Sequence, residues 1–447
     1  MKNGTFQRGI RMSRLGASLT GSYLAYQFQN LILGPDEAEA RKKMFQKKSS
    51  RRIRHELEEL KGPVMKLGQI LSMQGQALPP EVIEELAHLQ ARAPAMHPTL
   101  ARAQFKGVLG RNPEEIFQSF EPEAFAAASL GQVHRAITRK GERVVVKIQY
   151  PAIRSAIEND FKLFRSATLP GQFSGHFPAE ILDEMQTGFL RETDYQQEAR
   201  NIEFFREELA PLAYMRLPKV FPEYSGDRVL TMSEVEGRSL DIFLKTNPSP
   251  QLRNLFGHHL VELYHFELRC VAAIHADPHP GNYLFCSDGT IGLVDFGCVK
   301  YFSPGFREIV QCFINRVWEN GESESERMLR LLFGRKASLA NPKARDMLTA
   351  AIELFQLIFP ARRPGNTKVN FGDPEIITKM SQIFRKSLQS KLTNPEFVFA
   401  SRAELGTYNL LHALRAKVDT ADAKDRVDRF VEGCLVQLPN QPEKAGK

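Results

Sequence analysis

The stretch that decides the fold of this chain is IHADPHPGN at residues 274–282, followed after a short apolar run by VDFG at residues 294–297. Four residues separate Asp277 from Asn282, and the prolines and glycine among them favour an irregular loop over a helix. The run before Asp295 is typical of a short buried strand. Because Mg²⁺ prefers hard oxygen ligands, the carboxylate of Asp295 and the side-chain carbonyl of Asn282 are suited to hold it. The sequence therefore predicts a magnesium-binding loop in which Asp277 faces an attacking oxygen.

The order of these residues is that of a protein kinase, in which a catalytic Asp is followed by an Asn and then by Asp-Phe-Gly on a strand. Either motif occurs by chance in long chains, but the two together in this order and spacing indicate a phosphoryl-transfer fold. Ala276 stands where kinases carry the Arg that recognises a phosphorylated loop, and a helix is predicted from about Phe306 to Glu319, soon after the second motif. Regulation by phosphorylation of an activation loop is therefore not expected.

Upstream, residues 125–136 read FAAASLGQVHRA, a pattern of strand, turn and strand. A Gly-rich kinase loop would place glycines at positions 126, 128 and 131, and only the third is glycine here. Alanine still lets the backbone approach phosphate, but it favours negative φ and stiffens the loop. The residues predicted to contact a nucleotide in this loop are Ala126, Ala127, Ala128, Ser129, Gly131 and Val133.

A strand is predicted at RVVVKI, residues 143–148, where Lys147 stands at the distance expected for the lysine that neutralises the α and β phosphates. A helix is predicted from Pro178 to about Glu208, and at least one of its acids should pair with Lys147. The candidates for that pairing are Glu192, Asp194 and Glu198.

Residues 228–237, RVLTMSEVEG, predict a buried strand that runs into the linker between two lobes. We expect Glu234 and Val235 in that linker to contact the nucleotide. Beyond Leu240 the chain is predicted to be mainly helical, with helices through Leu354, from Ile376 to Leu392 and from Glu404 to Val418.

The composition is that of a globular protein with a basic N-terminal arm. The chain has 447 residues, 42% hydrophobic and 25% charged, with a net charge of +8. Residues 1–54 hold twelve basic and three acidic residues, so the excess lies in that arm. Such an arm suits an anionic membrane surface or, less well because aromatic residues are sparse, nucleic acid; a solvated arm without a partner is the third interpretation. The five cysteines are odd in number and indicate a reducing compartment.

No segment has the unbroken apolar length that a bilayer crossing requires. Residues 15–34 come nearest, but polar side chains interrupt them and no secretory cleavage site follows. This segment is better interpreted as a helix lying on a membrane surface or on another part of the protein. The expected location is the cytoplasm, with peripheral membrane contact through the arm.

With these motifs the chain resembles the UbiB family of atypical kinase-like proteins, which is linked to ubiquinone (coenzyme Q) biosynthesis. The resemblance covers about residues 55–300 and includes KLGQ at residues 66–69, which matches the family's K-x-G-Q motif. An alanine-rich loop together with K-x-G-Q is not a general kinase feature, so the combination is specific. The other matching positions are Lys147, Glu192-Thr193-Asp194, Glu198, Asp277, Asn282 and Asp295-Phe296-Gly297.

The resemblance implies a bilobal, protein-kinase-like α+β fold in which a helical N-terminal extension packs over the active site. It implies ATP and Mg²⁺ as cofactors, Lys147 paired with Glu198, metal bound by Asn282 and Asp295, and Asp277 as the catalytic-loop Asp. The regulatory lid and the acids that face it would be formed by Lys66, Gly68, Gln69, Glu192 and Asp194. The expected domains are the basic arm at 1–54, the helical extension at 55–112, the N-lobe at 113–237, the helical C-lobe at 238–438 and a disordered tail at 439–447.

A lid over the substrate site argues against protein phosphorylation. The resemblance implies an ATP-dependent phosphoryl-transfer enzyme, more an ATPase than a protein kinase, that supports ubiquinone biosynthesis or lipid homeostasis at a membrane surface. Its expected partners are an anionic membrane, lipid or quinone precursors and quinone-biosynthesis proteins, and no nucleic acid. Two alternatives stay open: a kinase acting on a small molecule or a protein, and a nucleotide-gated scaffold without catalysis. Many bacterial relatives end in transmembrane helices, whereas this sequence ends in polar residues after Leu438.

Overall fold

The computed structural model of this protein describes residues 96–128, 130–168, 179–333, 337–360, 368–389 and 395–437. The predictions made for the basic arm, the K-x-G-Q helix, Ser129 and the C-terminal tail lie outside the described residues. Within the described ranges, no helix combines the length and the hydropathy that a bilayer crossing requires.

Helices are labelled in chain order. They are α1 (Pro98–Leu109), α2 (Pro113–Ile116), α3 (Ile153–Thr168), α4 (Ala179–Glu192), α5 (Tyr195–Glu208), α6 (Leu240–Lys245), α7 (Pro250–Phe266), α8 (Pro304–Ile314), α9 (Glu322–Phe333), α10 (Pro342–Ile358), α11 (Pro374–Gln389), α12 (Pro395–Leu414) and α13 (Thr420–Gln437). Short 3₁₀ turns lie at Pro222–Tyr224, Pro280–Asn282 and Val317–Asn320, and α7 continues into a π-helical turn at Glu267–Val271.

Strands are labelled in the same way. They are β1 (Phe117–Phe120), β2 (Ala126–Ala128), β3 (Gly131–Thr138), β4 (Arg143–Gln149), β5 (Met215–Arg216), β6 (Val229–Ser233), β7 (Ala273–His275), β8 (Tyr283–Phe285), β9 (Ile291–Leu293), β10 (Val299–Tyr301), β11 (Lys368–Asn370) and β12 (Lys417–Asp419).

The chain divides into two compact units. One, here called the sheet unit, takes the chain up to Ala199 together with Val220–Glu234. The other, here called the helical unit, takes Arg200–Lys219 and the chain from Val235 onward.

The sheet unit is built on a five-stranded antiparallel sheet. Its strands run in the order β1-β3-β4-β6, and β2 also pairs with β3. β4 lies between β3 and β6, and Lys147 on it stands opposite Val133 and Leu230. β4 has partners on both sides and is buried along nearly its whole length, including at Lys147.

Helix α1 closes one face of this unit. It has Pro98 in its first turn and ends at Gly110, whose φ of 74° suits a glycine after a helix. It buries Phe105, whose ring centroid lies 5.8 Å from that of Phe117 on β1. The sheet unit therefore has its own apolar core, with Phe105 and Phe117 among its fully buried residues.

The helix predicted from Pro178 to Glu208 is two helices, α4 and α5, and that part of the prediction was wrong. The break falls at Thr193 and Asp194. The Thr193 hydroxyl donates to the Leu190 carbonyl at 2.6 Å, and Asp194 Oδ1 accepts the backbone N–H of Gln197 at 2.9 Å. Asp194 thus caps α5, which is the role short polar side chains take at helix starts.

The helical unit carries three small sheets among its helices. β5, β9 and β8 form one, β7 pairs with β10, and β11 pairs with β12. The core of the unit includes Tyr264, Ile274, Phe306, Leu329 and Leu332.

Two predicted helices of this unit end earlier than expected. The helix from Phe306 ends at Ile314, and Arg316 follows with a φ of 50°. The helix expected through Val418 ends at Leu414, Arg415 has a φ of 49°, and Val418 lies in β12 opposite Val369. A residue in the left-handed region cannot continue a right-handed helix, so both arginines mark real ends.

Candidate active site

The alanine-rich loop of the sheet unit is a hairpin between β2 and β3. Ala126 pairs with Val133 and Ala128 with Gly131 across this hairpin. A Cβ atom at Gly131 would lie 2.8 Å from the Tyr195 hydroxyl and still closer to the Ile148 carbonyl. The one glycine kept in this loop is therefore required by close packing against β4.

Lys147 forms a buried ion pair with Glu198. Its Nζ lies 2.7 Å and 2.9 Å from the two carboxylate oxygens, and the two side chains are 7% and 1% exposed. The Nζ atom also lies 5.2 Å from the centroid of the Tyr195 ring. The pairing that the resemblance implied is present, and of the three candidate acids Glu198 is the one that binds Lys147 through both oxygens.

The junction between α4 and α5 is tied to the strand that carries Lys147. Gln149, two residues along β4, donates from Nε2 to the Thr193 carbonyl at 2.9 Å. Glu198 lies in the first turn of α5, soon after that junction, so the hydrogen bond helps to set where its carboxylate lies. Glu192 is partly buried and Asp194 is exposed.

The linker residue Glu234 forms two ion pairs that the sequence did not suggest. Its carboxylate accepts from Arg135 at 2.8 Å and from Arg143 at 2.8 Å, and its side chain is 12% exposed. Its backbone N–H donates to the Arg143 carbonyl at 3.1 Å. In the helical unit, Val235 lies so close to Gly292 on β9 that a Cβ there would overlap its Cγ1.

In the helical unit, the structure brings Asp277 and Asn282 together. Asn282 Nδ2 donates to the Asp277 carbonyl at 3.1 Å and to its Oδ2 at 3.0 Å. The 3₁₀ turn at Pro280–Asn282 begins with His279, whose Nδ1 accepts from the Gly281 N–H at 3.0 Å. Because its amide N–H₂ faces Asp277, Asn282 presents its carbonyl oxygen as the remaining polar atom.

Asp295 is linked to the same loop through the backbone. The Val294 N–H donates to the Asn282 carbonyl at 3.0 Å, where the β8–β9 hairpin ends. Asp295 has a φ of 64°, an uncommon conformation for a residue with a side chain. Its Oδ1 accepts from the Gly297 N–H at 3.3 Å. Such strain persists only where neighbouring contacts hold it.

Two buried side chains supply those contacts. His275 Nε2 lies 2.8 Å from the Asp295 carbonyl; because a carbonyl only accepts, Nε2 carries the proton and donates it. Asn201 Nδ2 donates to the Phe296 carbonyl at 2.9 Å, and its Oδ1 accepts from the Tyr301 hydroxyl at 3.0 Å. Both side chains are buried, at 2% and 4% exposure, so the Asp-Phe-Gly segment is held from behind.

Sequence reasoning gave no role to Asn201 or His275. His275 lies inside the quoted motif, and Asn201 follows Glu198 by less than one helical turn. An asparagine in a helix interior is unfavourable without a specific hydrogen-bond partner. The presence of Asn201 within the predicted helix could therefore have indicated a structural role.

The donor set suits Mg²⁺ bound together with phosphate. No group of three or more His, Cys, Asp or Glu side chains able to hold a metal occurs among the residues described. Asp295 and Asn282 instead offer one carboxylate and one amide carbonyl, hard ligands that Mg²⁺ completes with waters and substrate phosphates. The residues present therefore fit a metal that arrives with a nucleotide.

A five-stranded antiparallel sheet with a buried Lys–Glu pair, and a helical unit with adjacent Asp and Asn before Asp-Phe-Gly, define a kinase-like phosphoryl-transfer protein. The family model described as the ABC1 atypical kinase-like domain matches residues 88–328. The chain belongs to that family, which confirms the resemblance to UbiB proteins.

Relatives with assigned names include organellar proteins. The chain is 32% identical to Activity of BC1 Complex Kinase 7, chloroplastic, of Arabidopsis thaliana, over 58% of this chain and 38% of the relative. It is 28% identical to atypical kinase coq-8, mitochondrial, of Caenorhabditis elegans, over 80% and 48%. It is 32% identical to atypical kinase COQ8, mitochondrial, of Saccharomyces cerevisiae, over 57% and 51%. The matched region spans between about two fifths and half of these relatives.

A solved structure shares the fold. The complex of Rv3197 and erythromycin from Mycobacterium tuberculosis matches with a TM-score of 0.57 and 24% identity, over 88% of this chain and 98% of that one. At this identity the likeness shows the fold alone.

Proposed function

We propose that this chain is a Mg²⁺-dependent ATPase that supports ubiquinone biosynthesis at a membrane surface. The observation that carries the phosphoryl-transfer part is the Lys147–Glu198 ion pair, because that pair must be formed for phosphoryl transfer in protein kinases. Family membership and the relatives named as COQ8 kinases support the ubiquinone context.

In this proposal each residue either neutralises phosphate charge or positions the nucleotide. Lys147, held by Glu198, neutralises the α and β phosphates. The residues Ala126–Ala128, Gly131 and Val133 cover the phosphates, and Ser129 is proposed to contact the nucleotide with them. The linker residues Glu234 and Val235 contact the base through their backbone. Asn282 and Asp295 would hold Mg²⁺, which would offset the charge that develops in the transition state.

Asp277 and Asn282 orient the reacting groups. Asn282 holds Mg²⁺ with Asp295 through its side-chain oxygen, while its amide fixes the Asp277 carboxylate. Asp277 then positions the attacking water and accepts its proton. Preorganised charge of this kind supplies most of the rate in phosphoryl transfer.

The lid and the membrane arm are part of the same proposal. Lys66, Gly68 and Gln69, with Glu192 and Asp194, would exclude a protein substrate, which favours hydrolysis over transfer to a protein. The basic residues of the arm at 1–54 would contact anionic lipid. A kinase that transfers phosphate to a small molecule is the second candidate, favoured by the relatives' names as atypical kinases.

The test is phosphate release from Mg-ATP by the full chain, with and without vesicles containing an anionic lipid. We expect hydrolysis that rises with vesicles and disappears in Asp295→Asn. Asp346→Asn, an exposed Asp on α10, is the matched control and should keep full activity. Full activity in Asp295→Asn would contradict the proposal, and labelled phosphate accumulating on a small molecule would support the second candidate.

The membrane and ubiquinone parts are tested separately. A variant lacking residues 1–54 should lose binding to anionic vesicles. A yeast strain without COQ8, given this chain with a mitochondrial targeting sequence, should recover ubiquinone. Recovery by the Asp295→Asn variant would show that hydrolysis is not the step that matters there.

A further inference from the structure

The helical unit contains an apolar cavity outside the residues assigned to catalysis. Its volume is about 110 Å³, and it lies among the end of α7, α8, α10 and α12. The side chains that define it include Ile309, Phe313, Leu354, Phe355, Ile358 and Phe359. Ile358 is 1% exposed and Leu354 is 7% exposed, whereas Phe313, Ala351 and Phe355 are half-buried, so the cavity reaches from the interior toward the surface of the unit.

A void of this size is unusual in a protein interior. Interiors are packed to the density of organic crystals, and spaces larger than a water molecule are few. A cavity of roughly 150 Å³ lined by leucine, isoleucine and phenylalanine stays dry and takes up benzene. The present cavity is somewhat smaller, which suits an apolar body of about one six-membered ring.

Four side chains with polar atoms stand at this otherwise apolar wall: Tyr264, His265, Ser401 and Glu404. The Tyr264 hydroxyl already donates to the Ala400 carbonyl at 3.1 Å. His265 Nδ1 is buried without a hydrogen-bond partner among the residues that the structure describes, and the residue is 7% exposed. Buried polar groups almost always have partners. The unmatched nitrogen therefore points to a ligand atom that would bond to it.

The charge state of this wall disfavours an anionic ligand. Burial lowers the pKa of His265 to about 3, so its ring is neutral at physiological pH. Burial also raises the pKa of Glu404 to about 7, and its Oε1 accepts from the Tyr408 hydroxyl at 2.7 Å. The neutral His265 ring carries no positive charge that could attract an anion. A charged ligand would also lose its hydration on entering the cavity.

We propose that this cavity binds a small uncharged molecule with a saturated hydrocarbon body of about one ring and a single hydroxyl or carbonyl oxygen, which bonds to His265 Nδ1. The apolar walls select the body, and the nitrogen selects the oxygen. This site is separate from the proposed ATP chemistry and does not depend on it.

The protein carries its own reporter for this site. Trp318 is the one tryptophan in the chain. Its ring centroid lies 5.7 Å from that of Phe313 and 5.4 Å from that of Phe355, and both phenylalanines line the cavity. A molecule that enters should displace these rings or change their surroundings, and so change the tryptophan emission.

The experiment is a fluorescence titration of the full chain without nucleotide. Cyclohexanol is the probe, and methylcyclohexane is the probe of similar size without the oxygen. The filling variant is Ala351→Phe on α10, which places a ring in the cavity, and Ala350→Phe is its control because Ala350 does not line the cavity. A thermal unfolding curve for each variant establishes that it is folded, and Ala351→Leu replaces Ala351→Phe if the latter fails to fold.

We expect saturable binding of cyclohexanol to the wild type and to Ala350→Phe, and at least tenfold weaker binding to Ala351→Phe. Cyclohexanol should bind more tightly than methylcyclohexane, and His265→Phe should remove that preference. The absence of saturable binding, equal binding to the filled variant, or a preference for cyclohexanol that persists in His265→Phe would overturn the proposal. Loss of ATP hydrolysis plays no part in these readouts, so this proposal and the proposed function fail separately.

Discussion

Lys147 in the sheet unit and Asp295 in the helical unit are held in place by different forces. Lys147 is buried on a central strand and fixed by an opposite charge at 2.7 Å. Asp295 sits in a strained backbone conformation that is fixed through carbonyl groups, its own bonded to His275 and that of Phe296 bonded to Asn201. The position of Lys147 therefore depends on a buried ion pair, whereas the position of Asp295 depends on hydrogen bonds from neutral side chains.

That difference has a consequence for mutation. Removing one partner of a buried ion pair leaves a charge in a poorly polar environment, so stability should suffer most. Removing a hydrogen bond behind Asp295 costs less stability but lets a proposed metal ligand move, so the proposed activity should suffer most.

Glu198→Ala should lower the free energy of unfolding by about 3–5 kcal/mol, because it leaves the Lys147 ammonium buried without its carboxylate. Chemical denaturation followed by far-UV circular dichroism measures it. The control is Glu114→Ala, which breaks the exposed pair with Arg102 (42% and 48% exposed) and should cost less than about 1 kcal/mol.

A double variant tells charge burial from loss of packing. Lys147→Met combined with Glu198→Leu should restore most of the stability while leaving the protein unable to hydrolyse ATP. Equal costs for Glu198→Ala and Glu114→Ala would show that the buried pair is not what stabilises this region.

Asn201→Asp should lower the proposed ATP turnover about 10–100-fold, because a carboxylate facing the Phe296 carbonyl replaces a donor with an acceptor. Asn201 is a positioning residue, so the Mg²⁺ concentration for half-maximal activity should rise as well. Steady-state kinetics across a Mg²⁺ series measures both, and Asn320→Asp, at an exposed position, is the control. An unchanged rate and Mg²⁺ dependence would show that Asp295 does not need this support.

Gly406→Ala should destabilise the helical unit by about 1–3 kcal/mol, because overpacking of a filled site forces side chains or backbone to move. A Cβ there would overlap the ring of Pro278, next to Asp277, and would lie 3.4 Å from its Cα. Gly107→Ala in α1 meets no atom within 4 Å and should instead stabilise by about 0.4–1 kcal/mol. Thermal unfolding of the pair should show opposite signs; the same sign in both would contradict the close contact at Pro278.

Glu267→Gln should flatten the pH dependence of stability between about pH 5 and pH 8. Burial raises the pKa of Glu267 from its ordinary 4.5 to about 8. Between these values the unfolded chain has released the proton that the folded chain keeps, so stability falls as pH rises, by up to about 1.4 kcal/mol per pH unit. Above the folded pKa both states are ionised and this decline ends.

Trp318 lies in the helical unit with Glu267, so urea unfolding monitored by its fluorescence at several pH values measures this slope. Glu375→Gln, at an exposed position on α11, is the control and should leave the slope unchanged. A wild-type slope equal to that of Glu267→Gln would mean that Glu267 is not protonated in the folded protein.

Local patterns predicted the parts of this protein that depend on neighbours in sequence. The strand predicted over residues 143–148 and the strand, turn and strand predicted over residues 125–136 are confirmed by β4, β2 and β3. The helix over residues 178–208 was wrong because Asp194 can cap a helix as well as sit inside one, and spacing alone does not distinguish the two. The helix through Val418 was wrong because the pairing of β12 with β11 joins segments that are far apart in sequence.

By itself, the sequence determined the kinase-like α+β class, the family and the acids and lysine proposed for phosphoryl transfer, because their types and spacing are set by the chemistry of phosphate and Mg²⁺. The tertiary structure decided that Asn201 and His275 hold the Asp-Phe-Gly segment and that a cavity lies beside Trp318. These facts depend on side chains from separate elements meeting in three dimensions. A local sequence pattern cannot predict such contacts, because each side chain could form hydrogen bonds or pack with several different partners.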